Sequence, residues 1–138
     1  MVVYLKVTTM SHFISQILAV SKIRIAAFAA GKDSRYKGAE TYFEQLRKEI
    51  DEAQTENKPD NHVYLEDELG DIFRDYVMLL NAMANEGKIS SIEKVFERCY
   101  KKFSERIGED GVNRGDRWEI KARQKINLKT EHDDKYWK

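Results

Sequence analysis

The feature that most constrains this chain is a pair of acidic blocks, Glu49-x-x-Glu52 and Glu68-x-x-Asp71, separated by 15 residues. In each block two carboxylates stand three residues apart, so on a helix both project from one face, about one turn apart. Two such pairs can close on a single divalent cation. The pattern predicts a metal cradle between two helices.

The residues around both blocks predict helices, because apolar side chains recur there every three to four positions. The predicted core face of the first helix consists of Phe43, Leu46, Ile50 and Ala53. The predicted core face of the second consists of Leu65, Leu69, Ile72, Tyr76, Leu79, Leu80 and Met83. Residues 57–61 between them contain the chain's only proline among turn formers, which favours an antiparallel hairpin.

Composition favours an all-α protein that does not bind nucleic acid or membranes through its overall charge. Charged residues make up 35% of the chain, and no run of alternating β-branched residues indicates a sheet. The 24 Lys and Arg residues balance the 24 Asp and Glu residues. This zero formal net charge argues against bulk binding to nucleic acid or to a membrane surface.

A first helix is expected to begin near Thr9 or Ser11 and to end at Gly31, which leaves residues 1–9 as a candidate extension outside the fold. Its apolar band is broad enough for a central position in a bundle or a subunit contact. Lys22 and Arg24 interrupt the band and would be costly in a bilayer, so we predict no membrane span and a cytoplasmic protein.

A further helix is expected to begin at Ser90 or Ser91, and Cys99 should be buried on its apolar face. The single cysteine excludes an internal disulfide and fits a reducing compartment. Lys102 and Arg106 stand four residues apart and so lie on one side of the helix. They could bind one polyphosphate together, or they could be surface cations that interact favourably with the dipole at the helix C-terminus. The predicted core face of this helix is Ile92, Val95, Phe96, Cys99 and Phe103.

The composition changes at Gly108, after which residues 109–138 form a basic arm, either a short helix or extended chain. Trp118 could stack on a nucleotide base, or the arm could pack on a partner subunit. The last ten residues are polar enough that we expect no structure in them without a partner.

The acidic blocks resemble those of the MazG nucleotide pyrophosphohydrolases, which are all-α enzymes with ExxE, a short gap and then ExxD. The segment Glu68-Leu69-Gly70-Asp71 with its apolar flanks carries most of the resemblance, and Lys102-Phe103-x-x-Arg106 is similar to a later segment of the family. It covers roughly residues 38 to 107. Lys48 and Cys99-Tyr100 depart from common family residues, which leaves the subfamily and the substrate base open.

The resemblance implies an antiparallel four-helix bundle of MazG type over residues 1–108, followed by the arm of residues 109–138, and a homodimer or homotetramer. It also implies cleavage of nucleoside triphosphates between the α and β phosphates, giving a monophosphate and pyrophosphate. Four carboxylates without histidine or cysteine suit Mg²⁺, with Mn²⁺ as the alternative, and argue against zinc and di-iron sites. The implied metal ligands are Glu49, Glu52, Glu68 and Asp71, and Asp75 is a candidate either for orienting these ligands or for binding a second metal ion. Glu49 or Glu52 is the implied catalytic base, Lys102 and Arg106 bind phosphate, and Trp118 is the candidate for base stacking.

Two rival interpretations remain at this point. A sister enzyme of the same helical superfamily, acting on dUTP, dCTP or phosphoribosyl-ATP, would share the site. A non-catalytic helical interaction module would carry the acidic stripes merely as solvated faces. The basic linker residues Lys32, Arg35 and Lys37 could meet phosphate oxygens in an enzyme or lie in an ordinary loop.

Overall fold

Five helices account for most of the chain in a computed structural model, which describes residues 2–137 and the side chains of residues 9–137. They are α1 (Val2–Ala29), α2 (Thr41–Thr55), α3 (His62–Asn85), α4 (Ile92–Arg106) and α5 (Arg117–Tyr136). No strand occurs between residues 2 and 137, apart from one isolated bridge. The predicted all-α class is confirmed.

The chain divides into two compact units, residues 1–92 and residues 93–138. The first contains α1, α2 and α3, and the second contains α5 and all of α4 except its first residue, Ile92. The composition change at residue 108, where we predict a domain boundary, therefore falls inside the second unit. The four-helix arrangement of the first 108 residues stays a prediction.

Helix α1 begins earlier than predicted, at Val2 rather than near Thr9 or Ser11. Residues 2–9 belong to this helix instead of lying outside it, because no proline or glycine precedes Gly31 to interrupt it. The end is as predicted. Gly31 has a φ of 77°, and its N–H donates to the carbonyl of Phe28 while that of Lys32 donates to Ala27, as in a Schellman motif.

The segment Thr9–Ala29 of α1 is long and apolar enough to cross a membrane by length and composition alone. Three of its side chains are nevertheless buried within the protein: Ser21, Ile25 and Phe28. Ser21 also accepts a hydrogen bond of 2.7 Å from Asn81 of α3. One face of this segment is therefore committed to packing inside the first unit.

Helix α3 packs against both α1 and α2 and contributes half of the buried residues that the structure describes in the first unit. The core cluster combines all three helices and Ala39, two residues before α2: Ile25, Phe28, Ala39, Tyr42, Met78, Leu79 and Ala82. The turn between α2 and α3 is closed by Asn61, whose side-chain amide donates to the Glu56 carbonyl at 2.7 Å. The predicted antiparallel hairpin is thus built around a hydrophobic core.

The buried face of α2 differs from the predicted one. Phe43 and Ile50, which we expected in the core, are exposed. Ala53 is buried as predicted, but Tyr42 and Glu49 are buried in place of Phe43 and Ile50, so this part of the helix is rotated relative to the expected orientation. This rotation turns an acidic side chain toward α3.

Glu86, at the end of α3, holds the connection between α1 and α2. Its carboxylate accepts a hydrogen bond of 2.7 Å from the backbone N–H of Ala39, and it also contacts Lys88 at 3.3 Å and the Tyr36 hydroxyl at 3.4 Å. These contacts hold the pKa of Glu86 below its usual value, chiefly through the Ala39 hydrogen bond. The start of α2 is thereby tied to the far end of α3.

The second unit is a helical hairpin with little buried surface. Its connection is closed by a hydrogen bond of 2.8 Å from the Gly108 N–H to the Val112 carbonyl. Side-chain contacts between the helices include the ion pair of Arg98 with Glu131. Among the described residues of this unit, only Ile120 is buried.

Two predictions for this part of the chain are wrong. Cys99 is exposed rather than buried, and no residue of α4 is buried. The polar C-terminal segment, expected to lack structure, continues α5 to Tyr136. Most side chains of this part of α5 are exposed, and some form ion pairs, such as Lys129 with Asp133.

Candidate metal centre and adjoining cavity

Three of the four predicted metal ligands converge between α2 and α3. One carboxylate oxygen each from Glu49, Glu68 and Asp71 lies within 4.8 Å of the others. Glu49 is directed there because it lies on the buried face of α2, one turn before Ala53. Glu68 and Asp71 lie three residues apart on α3 and so share one face. The hairpin thus brings the two acidic blocks together.

Two carboxylate oxygens of the cluster are buried without a hydrogen-bond donor. Oε2 of Glu49 and Oε2 of Glu68 are buried and accept no hydrogen bond. Burial, followed by the neighbouring Glu52 carboxyl group, raises the pKa of Glu49 to about 7. Burial and the charges of Glu52 and Asp71 also raise the pKa of Glu68.

Buried acceptors without donors are uncommon and call for a cation or a proton. The donor set consists of oxygen alone, which fits a hard divalent ion such as Mg²⁺ or Mn²⁺. The residues present therefore fit the metal that the acidic motifs imply.

The remaining acids lie around this cluster. Glu52 is not one of the three converging ligands, but its charge acts on both Glu49 and Glu68. Asp75, one turn after Asp71, is only 5% exposed, and its Oδ2 atom is buried without a hydrogen-bond donor. It is placed to act beside the cluster, as the sequence suggested.

Arg74 is a site residue that sequence reasoning missed. Its guanidinium lies 3.2 Å from Asp71, 3.2 Å from Asp75 and 3.7 Å from Glu49. One cation therefore contacts two acids of the cluster and the neighbouring Asp75. Its position three residues after Asp71 was the available sequence signal, since such pairs are neighbours on a helix.

A cavity of about 680 Å³ adjoins the cluster and lies entirely within the first unit. Arg74 and Asp75 line it, together with residues of α1, α2 and the connection between them. Its apolar wall includes Phe28, whose ring stacks on Tyr36 with centroids 5.1 Å apart. Arg24 and Arg35 also line this cavity. Its volume lies within the range of small-molecule binding sites.

The other predicted binding residues belong to the second unit. Lys102 is exposed on α4, and Arg106 at the end of α4 donates from Nε to the Gln124 side chain at 2.9 Å. Trp118 is exposed at the start of α5, with the cationic groups of Arg117 and Lys121 within 5 Å of its ring centroid. Their roles in binding stay predictions.

Comparison with protein families gives one match, the MazG nucleotide pyrophosphohydrolase domain, over residues 37–108. The match spans just over half of the 138 residues and includes both acidic blocks. The chain belongs to the MazG family. No significant match to a curated protein or to a solved structure was found.

Membership of the MazG family gives this chain a nucleotide pyrophosphohydrolase domain, so the protein is a hydrolase in broad class. The matched region contains α2, α3 and α4 in full. All of α1 and all of α5 lie outside it. Arg24 and Arg35, which line the cavity, also precede the MazG match.

Proposed function

We propose that this protein is a Mg²⁺-dependent nucleoside triphosphate pyrophosphohydrolase, which cleaves between the α and β phosphates to give a nucleoside monophosphate and pyrophosphate. The observation that carries the proposal is the convergence of Glu49, Glu68 and Asp71, two of which have buried oxygens without a donor, inside a MazG domain. Such a cluster is suited to a metal that receives a polyphosphate.

Glu49, Glu52, Glu68 and Asp71 are the proposed ligands, with Mg²⁺ as the first choice and Mn²⁺ as the alternative. When bound, the ion would neutralise phosphate charge and make a coordinated water more acidic. Glu49 or Glu52 would then orient or deprotonate the attacking water. Asp75 would assist from beside the cluster, where it already contacts Arg74.

Residues of each unit, taken by itself, have a proposed role in substrate binding. The cavity beside Arg74 and Asp75 is the proposed position of the nucleotide, because it combines apolar walls with charged groups at the acidic cluster. Lys102 and Arg106 would stabilise charge on the leaving pyrophosphate. Trp118, which is exposed, would stack on the base.

We also propose a homodimer or homotetramer located in the cytoplasm. Exposed apolar side chains on the first three helices support the assembly, since a second copy could cover them: Val20, Ile23, Ile50 and Leu69. A single free thiol suits a reducing compartment. Sedimentation equilibrium at micromolar concentration tests the assembly, and a monomer would refute it.

The decisive experiment measures Mg²⁺-dependent pyrophosphate release from a panel that contains ribo- and deoxyribonucleoside triphosphates, dUTP, dCTP and phosphoribosyl-ATP. We expect Glu49→Gln and Asp71→Asn each to lower turnover by about 100-fold or more, because each removes a ligand charge. The exposed Asp51, between the two glutamates of α2, gives the matched control Asp51→Asn, which should retain activity.

Each outcome of this panel has a definite meaning. Selective cleavage of dUTP, dCTP or phosphoribosyl-ATP would identify the sister activity and keep the site. Turnover that is insensitive to both substitutions would refute the assigned centre. A folded protein that releases no pyrophosphate from any substrate would favour the helical interaction module.

A further inference from the structure

Two arginines line the cavity beside the acidic cluster, and the MazG resemblance gives neither of them a role. Arg24 belongs to α1 and Arg35 to the connection between α1 and α2, and both line the cavity. Both precede residue 37, where the family match begins. They share this cavity with Arg74 and Asp75, which connect it to the acidic cluster.

The two arginines converge on one carboxylate, that of Asp33. Arg35 contacts it through both ends of its guanidinium, with Nη2 at 2.6 Å from Oδ2 and Nε at 3.0 Å from Oδ1. The backbone N–H of Arg35 donates to Oδ1 as well, at 3.0 Å. Arg24 approaches Oδ2 to 3.9 Å. These hydrogen bonds hold the pKa of Asp33 far below its usual value, so the carboxylate is ionised at neutral pH.

Arg24 is held in this position by an aromatic pair. Its guanidinium carbon lies 4.5 Å from the centre of the Phe28 ring, which in turn stacks on Tyr36. The side chains of Arg24 and Arg35 remain 53% and 80% exposed, so a ligand that enters the cavity can reach them. Guanidinium groups bind carboxylate and phosphate oxygens with the same paired geometry.

We propose that Arg24 and Arg35 bind a phosphate group of the nucleotide substrate, and that Asp33 occupies their guanidinium groups until the substrate arrives. This inference rests on the proposed function, whose substrate carries several phosphates. The Asp33 carboxylate competes with the substrate, so it lowers affinity for polyphosphate and rejects ligands without strong negative charge. A phosphate brings more negative charge than Asp33 and can contact both arginines at once.

The test measures binding rather than turnover. Titration calorimetry at constant ionic strength, with Mg²⁺ present, would use an α,β-methylene nucleoside triphosphate that cannot be cleaved at the proposed bond. We expect Asp33→Asn to tighten binding about two- to fivefold, because an ion pair that water can reach is weak and its loss leaves both arginines free for the phosphate. Arg35→Gln and Arg24→Gln should each weaken binding about tenfold.

Two controls separate a specific subsite from general attraction. Lys22→Gln removes one positive charge from an exposed position of α1 that does not line the cavity, and it should leave binding within about twofold of the unchanged protein. The gain from Asp33→Asn should disappear when both arginines are also replaced by glutamine. Thermal unfolding of each variant checks that the fold is retained.

Unchanged or weaker binding in a folded Asp33→Asn variant would overturn the role of Asp33. If Arg35→Gln, at a largely exposed position, binds as tightly as the unchanged protein, the phosphate subsite is wrong. If Lys22→Gln weakens binding as much as the arginine variants do, the loss of affinity comes from the change in overall charge and not from a phosphate subsite. Arginine-dependent binding without cleavage of any nucleotide would refute the proposed function alone, whereas cleavage without arginine dependence would refute this inference alone.

Discussion

The two compact units differ in how charge and hydrophobic packing are combined. Residues 1–92 contain 11 Lys and Arg against 14 Asp and Glu, whereas residues 93–138 contain 13 against 10. The acidic unit has a core cluster drawn from three helices. In the basic unit, Ile120 is the single buried residue among those the structure describes, and ion pairs accompany the helical hairpin.

This difference explains why the candidate centre lies in the first unit. A hydrophobic core fixes the rotation of α2 and α3, and fixed helices can hold like charges close together with their oxygens out of water. Glu49 and Asp75 are buried in this way. Charges on the second unit remain hydrated and can move, so they suit contact with a ligand or partner better than a preorganised metal site.

The largest expected effect tests whether hydrophobic packing is confined to the first unit. Replacement of the buried Leu79 by alanine should lower the free energy of unfolding by about 2–5 kcal/mol, because it leaves a cavity in the core. Ile126→Ala on the exposed surface of α5 should change it by about 0.5 kcal/mol or less. Urea unfolding followed by circular dichroism measures both. A comparable loss for Ile126→Ala would mean that another surface, such as a second copy, covers α5.

A smaller effect concerns the pH dependence contributed by Glu86. Its pKa is lower in the folded than in the unfolded state, so the folded state binds fewer protons. The stability contributed by Glu86 is therefore present above its unfolded value of about 4.5 and is lost as pH falls through the lowered folded value. Glu86→Gln should cost about 1–3 kcal/mol at pH 7, since the Ala39 N–H loses a charged acceptor.

Urea unfolding at pH 7, 5 and 3, with a chelator present, measures this dependence. The difference between the unchanged protein and Glu86→Gln should shrink toward pH 3. Glu66→Gln, on the exposed side of the same helix, is the control and should show little difference at any pH. A constant difference across the range would mean that Glu86 acts through packing rather than charge.

The sequence predicts the helices well where apolar spacing and turn residues agree. This holds for α2, α3 and the turn between them, because apolar periodicity and Pro59 point to the same hairpin. It fails for the start of α1, where no residue marks a boundary, and for the end of α5, whose polar side chains pair with each other. Ion pairs between helices leave no periodic apolar signal in a sequence.

The candidate site is predictable only in part for a related reason. The spacing within Glu49-x-x-Glu52 and Glu68-x-x-Asp71 is local, so it identifies the acids that a helix can present together. The inward rotation of Glu49 in place of Ile50 depends on packing against α3. The positions of Arg74 and the cavity likewise depend on how three helices meet. These features arise from tertiary contacts that single-helix periodicity does not contain.

The smallest expected effect comes from the ion pair between α4 and α5. Arg98 contacts Glu131 through two hydrogen bonds of 2.6 and 3.0 Å, and these contacts lower the pKa of Glu131. The two side chains are 44% and 54% exposed, so water and salt screen their attraction. Arg98→Gln and Glu131→Gln should each lower the free energy of unfolding by about 1 kcal/mol or less, and by less still in 1 M salt.

A double-mutant cycle measured by urea unfolding isolates the pair from other effects of each substitution. We expect a coupling energy of about 0.2–1 kcal/mol that declines as salt is added. A coupling above about 2 kcal/mol that is insensitive to salt would mean that the pair is shielded from water in solution. The second unit would then have a covered interior comparable with that of the first, and the contrast between the two units would not hold.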